Sequence, residues 1–159
     1  MKLVAGVEWA LHCCVLLHWA EREAIPFTKM AEFHDLPAVY LSKQLQALGR
    51  AGILKSLPGP RGGFRLAKRP EQITLMDVVA AIEGPEDAFR CTEIRQQGPA
   101  GAGEEPLQIP CSISTAMRKA DLAWRRALAA QTLADVIAAT ERTAPGVPGR
   151  VRNWFDTAS

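Results

Sequence analysis

The sequence has little that suits a membrane or a secreted scaffold. It contains no run of 18 apolar residues, the length from which a membrane-spanning helix is suspected. Its 4 cysteines, at positions 13, 14, 91 and 111, have neither the density nor the spacing of a disulfide framework. Glu8 and His12 interrupt the apolar opening segment, and no small-residue cleavage site follows, which argues against a signal peptide. We therefore expect a cytoplasmic protein without a membrane partner.

The sequence also lacks a large excess of either sign of charge, because 19 Lys and Arg nearly balance 17 Asp and Glu and the formal net charge is only +2 at pH 7. Any nucleic-acid function must therefore depend on a local basic patch rather than on a global field. Such a patch exists between Lys43 and Arg69, a stretch that contains no Asp or Glu. Its cations are Lys43, Arg50, Lys55, Arg61, Arg65, Lys68 and Arg69.

Hydrophobic spacing predicts three helices in the first third of the chain, over 2–21, 28–33 and 37–50. Thr28 can cap the second of these helices, and Pro37 can occupy the first turn of the third. The short connection between the second and third helices is typical of a helix-turn-helix.

A β-hairpin is predicted next, because ILKSL and GFRLAKR are short β-type runs separated by a Pro- and Gly-rich turn. A hairpin in this position is a wing. Thr74 can then cap a helix that stops at Gly84. The predicted fold class is mainly α with a small β wing, a winged helix-turn-helix followed by a long C-terminal dimerisation helix.

The second half of the chain begins with a loop over 92–110 that holds six Gly or Pro residues and has Cys91 and Cys111 at its ends. A long helix is predicted from Ser112, and a short one after Thr132. The long helix has an apolar stripe at Ile113, Met117, Ala120, Trp124 and Leu128. We interpret this stripe as a dimer arm that packs against a second copy of the chain.

These elements suggest four regions. A winged helix-turn-helix DNA-binding domain covers 1–84, a loop that could bind a metal cluster covers 85–111, and dimerisation helices cover 112–142. The tail over 143–159 has no assigned role and is a candidate for disorder.

The third helix has the properties of an element that reads DNA, with small or hydrogen-bonding residues at its leading end. Thr28 and Lys29 of the second helix are expected to hold phosphate. At the wing tip, Gly62 is also expected at the DNA, and Arg61 is expected to enter a neighbouring groove or to touch the DNA backbone. The residues expected at or near the base edges are Ala38, Val39, Tyr40, Ser42, Lys43 and Gln44. The alternative is a winged helix used for protein contacts, whose charges are simply solvated.

Two cysteines at the ends of a loop are plausible ligands for an iron-sulfur cluster, which selects thiolates. Cys111 follows Pro110 at a helix start, where the helix dipole lowers a thiol pKa. Glu8 and His12 have the i, i+4 spacing of a metal-ligand pair, although such a pair is more often a surface hydrogen bond.

Three other features have simpler explanations. Cys13 and Cys14 are adjacent in a helix and are expected in the core. His34 lies at the corner of the helix-turn-helix and is expected to be a capping or turn residue, and we assign no role to His18.

The run YLSKQLQALGRAGILKSLPGPRGGFRLAK, followed by ITLMDVVAAIEG, resembles the signature of the Rrf2 family of bacterial regulators of the IscR and NsrR types. The likeness covers residues 1 to about 140. It implies a dimeric winged-helix repressor or activator that binds a double-stranded DNA operator. Two departures are Pro58, where many members carry Arg before the wing glycine, and two loop cysteines where cluster-binding members bring three.

The resemblance also implies a ligand set, because an acidic residue from the first helix of the opposite subunit completes the set in NsrR-type proteins. We therefore predict a 2Fe-2S cluster held by Cys91 and Cys111 of one subunit and by Glu8 and His12 of the other. One-electron redox switching is the predicted signal, with nitric oxide or cluster loss as alternatives.

Two rival functions remain open at this point. One is a cluster-free regulator switched by a Cys91–Cys111 disulfide. The other is an enzyme or electron carrier, against which the sequence has no phosphate-cradling glycine loop, no HExxH and no nucleophile with a base and an orienting acid. We predict that the protein is not an enzyme.

Overall fold

The computed structural model describes residues 3–99, 101 and 110–157. In chain order the helices and strands are α1 Ala5–Trp19, α2 Phe27–His34, α3 Ala38–Arg50, β1 Leu54–Leu57, β2 Gly63–Leu66, α4 Leu75–Glu83, α5 Ser112–Ala129, α6 Leu133–Thr143 and α7 Val147–Thr157. Short 3-10 turns lie at Pro70–Gln72 and Ile94–Gln96. Within this described part, no helix combines the length and the apolarity needed to cross a membrane.

The chain divides into two compact units. The smaller unit is Glu86–Ala127, and the larger unit combines Lys2–Pro85 with Leu128–Ser159. The helix-turn-helix, the wing, α4, α6 and α7 all belong to the larger unit.

The core of the larger unit is built around α1, which contacts α3, α4, α6, α7 and β2. Because neighbours cover it on several sides, α1 is apolar over most of its circumference. Cys13 and Cys14 are fully buried in this core, which confirms their predicted packing role. Leu41, Leu45 and Leu48 present one buried face of α3 at helical spacing.

The helix-turn-helix has the predicted order but differs at its helix starts. α2 begins at Phe27 with Pro26 at the N-cap, so Thr28 lies in the first turn and the prediction that it caps the helix is wrong. Pro26 has an extended backbone and a fixed φ, which suits the residue that precedes a helix. Pro37 is likewise the N-cap of α3 rather than a residue of its first turn.

The wing is confirmed as an antiparallel hairpin, with Leu54 opposite Leu66 and Leu57 opposite Gly63. The segment before α2 adds a third partner, because Ile25 and Phe64 exchange backbone hydrogen bonds of 2.9 and 2.8 Å. The wing is therefore fixed to the start of the helix-turn-helix as well as to the end of α3.

Helices α4 and α6 begin with matching caps. Thr74 and Asp77 form a reciprocal capping box, and Thr132 and Asp135 form another. The helices start within the near-repeats TLMDVVAAIE and TLADVIAATE, and an antiparallel bridge pairs the two threonines. As a result, α6 packs against the larger unit's core, where its Leu133 and Ile137 are buried.

The tail contains a helix, so the expectation that 143–159 is a candidate for disorder is wrong for its described residues. Val147, Val151 and Phe155 recur every four residues and place one side of α7 on the core. Ion pairs secure its end, at 2.7 Å from Arg22 to Asp156 and 3.1 Å from Arg152 to Glu21.

The smaller unit is dominated by the first four turns of α5, whose side chains are mostly exposed. On the predicted apolar stripe, Ile113 is 67% exposed and Met117 43% exposed. An apolar stripe that water reaches in the single chain is consistent with the predicted dimer arm. Asp121 is the exception on this helix, since it is a carboxylate only 8% exposed.

Candidate functional site

The first turn of α3 presents an open surface. Val39 is 72% exposed and Tyr40 60% exposed, while Leu41 and Leu45 hold the opposite side of the helix in the core. Lys43 follows one turn later, with its ammonium nitrogen 5.6 Å from the centroid of the Tyr40 ring. The structure therefore brings Val39, Tyr40 and Lys43 together on a surface that a groove of DNA can reach.

Two of the other residues predicted on α3 are engaged within the protein, and Ala38 is half-buried beside the exposed pair. The Ser42 hydroxyl accepts a 3.2 Å hydrogen bond from the Gln46 amide. The Gln44 side chain faces α1, because a methyl group added at Gly6 would lie 2.7 Å from its Cδ. Gln44 is therefore a packing contact between α3 and α1 in the single chain.

The cations that flank α3 lie on α2 and on the wing. Lys29 is 3.1 Å from Glu32 and 5.8 Å from the ring centroid of Trp154, and Thr28 next to it is exposed. Arg61 is exposed at the tip of the hairpin. Gly62 is required there, because a side chain would collide with the carbonyl oxygen of Leu57.

The second candidate site is formed by the two cysteines of the smaller unit. Cys111 immediately precedes α5, and its carbonyl accepts a 2.9 Å bond from the Thr115 amide. The backbone N–H of Ser114, followed by that of Ile113, holds the pKa of the Cys111 thiol below its ordinary value, and burial opposes them. The Cys91 side chain also lowers this pKa, the smallest of the contributions, which places the two thiols near each other in the smaller unit.

Sequence reasoning missed two charged neighbours of these cysteines. The Glu93 carboxylate lies 3.5 Å from the Cys91 sulfur and accepts hydrogen bonds of 3.1 and 2.8 Å from Arg95. Arg95 lowers the pKa of Glu93 through these bonds, and its positive charge also lowers the pKa of Cys111. The alternation of Cys91, Glu93 and Arg95 is the signal that could have revealed one charged face.

Glu8 and His12 lie one turn apart on α1, in the larger unit, and both are exposed. They line a groove of about 460 Å³ whose other walls are apolar. The His12 ring is 5.9 Å from the ring of His34, and burial together with His12 lowers the pKa of His34. Across 3–99, 101 and 110–157, no group of three or more His, Cys, Asp or Glu residues is placed to hold a metal ion.

Comparison with known proteins gives a family match over residues 3–139, to the Rrf2 family, described as iron-dependent transcriptional regulators. Protein aau3 of Rhizobium meliloti is 34% identical over 139 residues, which cover 87% of this chain and 86% of the relative. The regulator NsrR of Geobacillus kaustophilus is 32% identical over 139 residues, with 86% and 90% covered. A relative from Aquifex aeolicus matches over 73 residues, about half of its own length.

Among solved structures, CymR of B. subtilis, the global cysteine regulator of that organism, superposes with a TM-score of 0.66. The match covers 88% of this chain and 98% of CymR at 22% identity. At that identity the likeness concerns the fold, and it confirms the predicted mainly helical architecture with a small β wing.

Proposed function

This chain belongs to the Rrf2 family of transcriptional regulators, and from that premise we propose that an iron-sulfur cluster sets its affinity for DNA. The observation that carries the proposal is the position of Cys111 at the start of α5 with Cys91 nearby, where backbone N–H groups and Arg95 favour thiolate. Thiolates held together in a positively polarised setting are the donors that iron-sulfur clusters take.

The proposed ligand set combines two residues from each of two subunits. Cys91 and Cys111 come from one subunit, and Glu8 and His12 come from α1 of the partner subunit. Both α1 side chains are exposed in the single chain, so they are free to meet a second copy. A bound 2Fe-2S cluster supplies one-electron redox chemistry, and ligation by one histidine makes its potential sensitive to pH.

DNA binding is assigned to the surface formed by Val39, Tyr40 and Lys43, flanked by Thr28 and Lys29 of α2 and by Arg61 of the wing. The exposed stripe of α5 is proposed as the dimer contact. A symmetric dimer places two such surfaces on half-sites about 34 Å apart, or a multiple of that distance.

The link between the two functions is α1. Gly6 lies directly against Gln44 of α3, two residues before Glu8 on the same helix. Because α1 packs against α3 and Gln44 meets Gly6 in that interface, a displacement of α1 is passed to α3. A change in what holds Glu8 and His12 therefore shifts the recognition helix relative to its partner's, and specific affinity falls.

The test is anaerobic purification followed by an absorption spectrum and by counts of iron and acid-labile sulfide. Cys91→Ser, Cys111→Ser, Glu8→Ala and His12→Ala should each change or abolish the spectrum. His18→Ala, an exposed histidine on the same helix, is the matched control and should not. DNA affinity is then compared for oxidised, reduced and cluster-free protein. Protein without iron and sulfide, or equal affinity in all three states, contradicts the proposal.

A second function is favoured by the nearness of the two thiols. In metal-free protein, an oxidant that removes two electrons and two protons would join Cys91 and Cys111 in a disulfide. A colourless protein whose DNA affinity depends on a dithiol reductant, and loses that dependence in Cys91→Ser, would identify this thiol switch instead.

A further inference from the structure

The segment that leads to Cys91 is attached to the middle of α5. Arg125 donates a 2.6 Å hydrogen bond from Nη2 to the carbonyl oxygen of Glu86. Its Nε donates another, also of 2.6 Å, to the carboxylate of Asp121 one turn earlier. One guanidinium therefore joins α5 to the backbone that enters the cysteine loop.

The lengths involved leave this segment little slack. Five residues from Glu86 to Cys91 span at most roughly 17 Å. From Ser112 to Arg125, α5 rises about 20 Å. Since Cys91 lies near Cys111 at one end and Glu86 is hydrogen-bonded to Arg125 at the other, the segment runs along α5 towards its first turn.

We propose that Arg125 is a positioning residue, which fixes Glu86 on α5 and thereby holds Cys91 beside Cys111. The inference rests on the proposed function in that the two thiols act together, whether on a cluster or on each other. Arg125 touches neither sulfur in this arrangement and acts through the backbone between Glu86 and Cys91.

The surroundings of Asp121 support this role. Burying a carboxylate that is only 8% exposed costs free energy unless the carboxylate is paired. Most other side chains of α5 are exposed, so the burial of Asp121 is a local feature of its pairing with Arg125. Its Oδ2 pairs with Arg125, which fixes the guanidinium plane while Nη2 remains directed at Glu86. Arginine can make both hydrogen bonds at once because its planar guanidinium carries several N–H donors in fixed directions, whereas lysine has a single ammonium group.

The experiment measures how strongly the protein holds the two thiols together in the absence of metal. Full-length, metal-free protein is equilibrated in glutathione buffers, and the effective concentration of Cys91 relative to Cys111 is read from the fraction of disulfide. We expect Arg125→Gln to lower it about tenfold, the loss of one charge-assisted hydrogen bond. In Arg125→Lys the effective concentration should fall nearly as far, because lysine keeps the positive charge but cannot donate both hydrogen bonds.

Arg126→Gln is the matched control, since it removes an exposed arginine from the next position of the same helix and should leave the value unchanged. Asp121→Asn, which keeps Arg125 but removes the ion pair, should give a smaller fall in the same direction and guards against misfolding of the first variant. Circular dichroism checks that the total helix content of each variant is unchanged. An unchanged effective concentration in Arg125→Gln and Asp121→Asn overturns the proposal. Because no metal or DNA is present, absence of a cluster in the native protein leaves this result standing.

Discussion

Thr74 and Thr132 face each other across a single antiparallel bridge, and each is the N-cap of the helix that follows it. The bridge is formed by the backbone hydrogen bonds from the Leu75 N–H to the Gln131 carbonyl at 2.9 Å and from the Leu133 N–H to the Ile73 carbonyl at 2.8 Å. The starts of α4 and α6 are therefore one structural feature.

Replacing either threonine by alanine should lower the free energy of unfolding by about 1 kcal/mol, since each hydroxyl accepts the N–H of an aspartate three residues later. Because the two caps are bridge partners, the double variant should depart from the sum by about 0.5 kcal/mol or more. Urea unfolding of the four proteins measures this coupling, and strict additivity would argue against a shared feature.

Asp135 predicts a specific acid sensitivity. The backbone N–H and then the hydroxyl of Thr132 lower the pKa of its carboxyl below the ordinary value of 3.8. A lowered folded-state pKa stabilises the protein above the unfolded-state pKa, and this stabilisation is lost as the pH falls through the folded-state value. Asp135→Asn should therefore cost stability at pH 6 and little at pH 2. Urea midpoints at the two pH values check this, with exposed Asp87→Asn as the control.

The four cysteines should separate into two classes in reduced, metal-free protein. Burial raises the pKa of Cys13 to about 12, and it raises that of Cys14 as well. Since the thiolate is the reactive form, both stay protonated and inert at pH 7.5. Iodoacetamide should therefore label Cys91 and Cys111 in the native protein and all four after denaturation. Mass spectrometry of the labelled peptides would reveal the opposite result, native labelling at Cys13 or Cys14.

Phe155 anchors α7 in the core, where it stacks 5.8 Å from Phe33 of α2. Phe155→Ala should cost about 3 to 5 kcal/mol, the usual range for a large buried aromatic side chain. Asp156→Asn, which removes only an exposed ion pair with Arg22, should cost less than about 1 kcal/mol. Chemical unfolding separates the two, and a similar small cost for both would mean that α7 is dispensable.

Gly62→Ala should weaken DNA binding without unfolding the protein. The added methyl group collides with the Leu57 carbonyl and forces the wing tip, with Arg61, to move. Gly49→Ala in α3 is the matched control, because a methyl group there meets nothing within 4 Å. Affinity is measured at several salt concentrations, since a displaced phosphate contact lowers the salt dependence. Equal affinities for the two variants would separate the wing tip from DNA binding.

Sequence patterns were sufficient for the elements whose signals are local. Leucines at helical spacing fixed α3, and a Pro- and Gly-rich turn between β-type runs fixed the hairpin. The sequence pattern does not reveal α7, because Pro148 and Gly149 resemble a linker. Proline is nevertheless well tolerated in the first turn of a helix. The hydrogen bond from Arg125 to the Glu86 carbonyl joins positions 39 residues apart, and a local sequence pattern cannot predict such a pair.

The docking of α7 also affects how the larger unit comes to be folded. Phe155 shares a core with Ala10 and Met30, so that core is incomplete until the chain has been made well beyond the wing. During synthesis the face of α1 that packs against α7 therefore stays uncovered until α7 has been made, almost 150 positions later. A second protein fused directly after residue 157 would therefore be attached to a helix that packs on the core of the larger unit, and it would disturb that packing unless a linker separates the two.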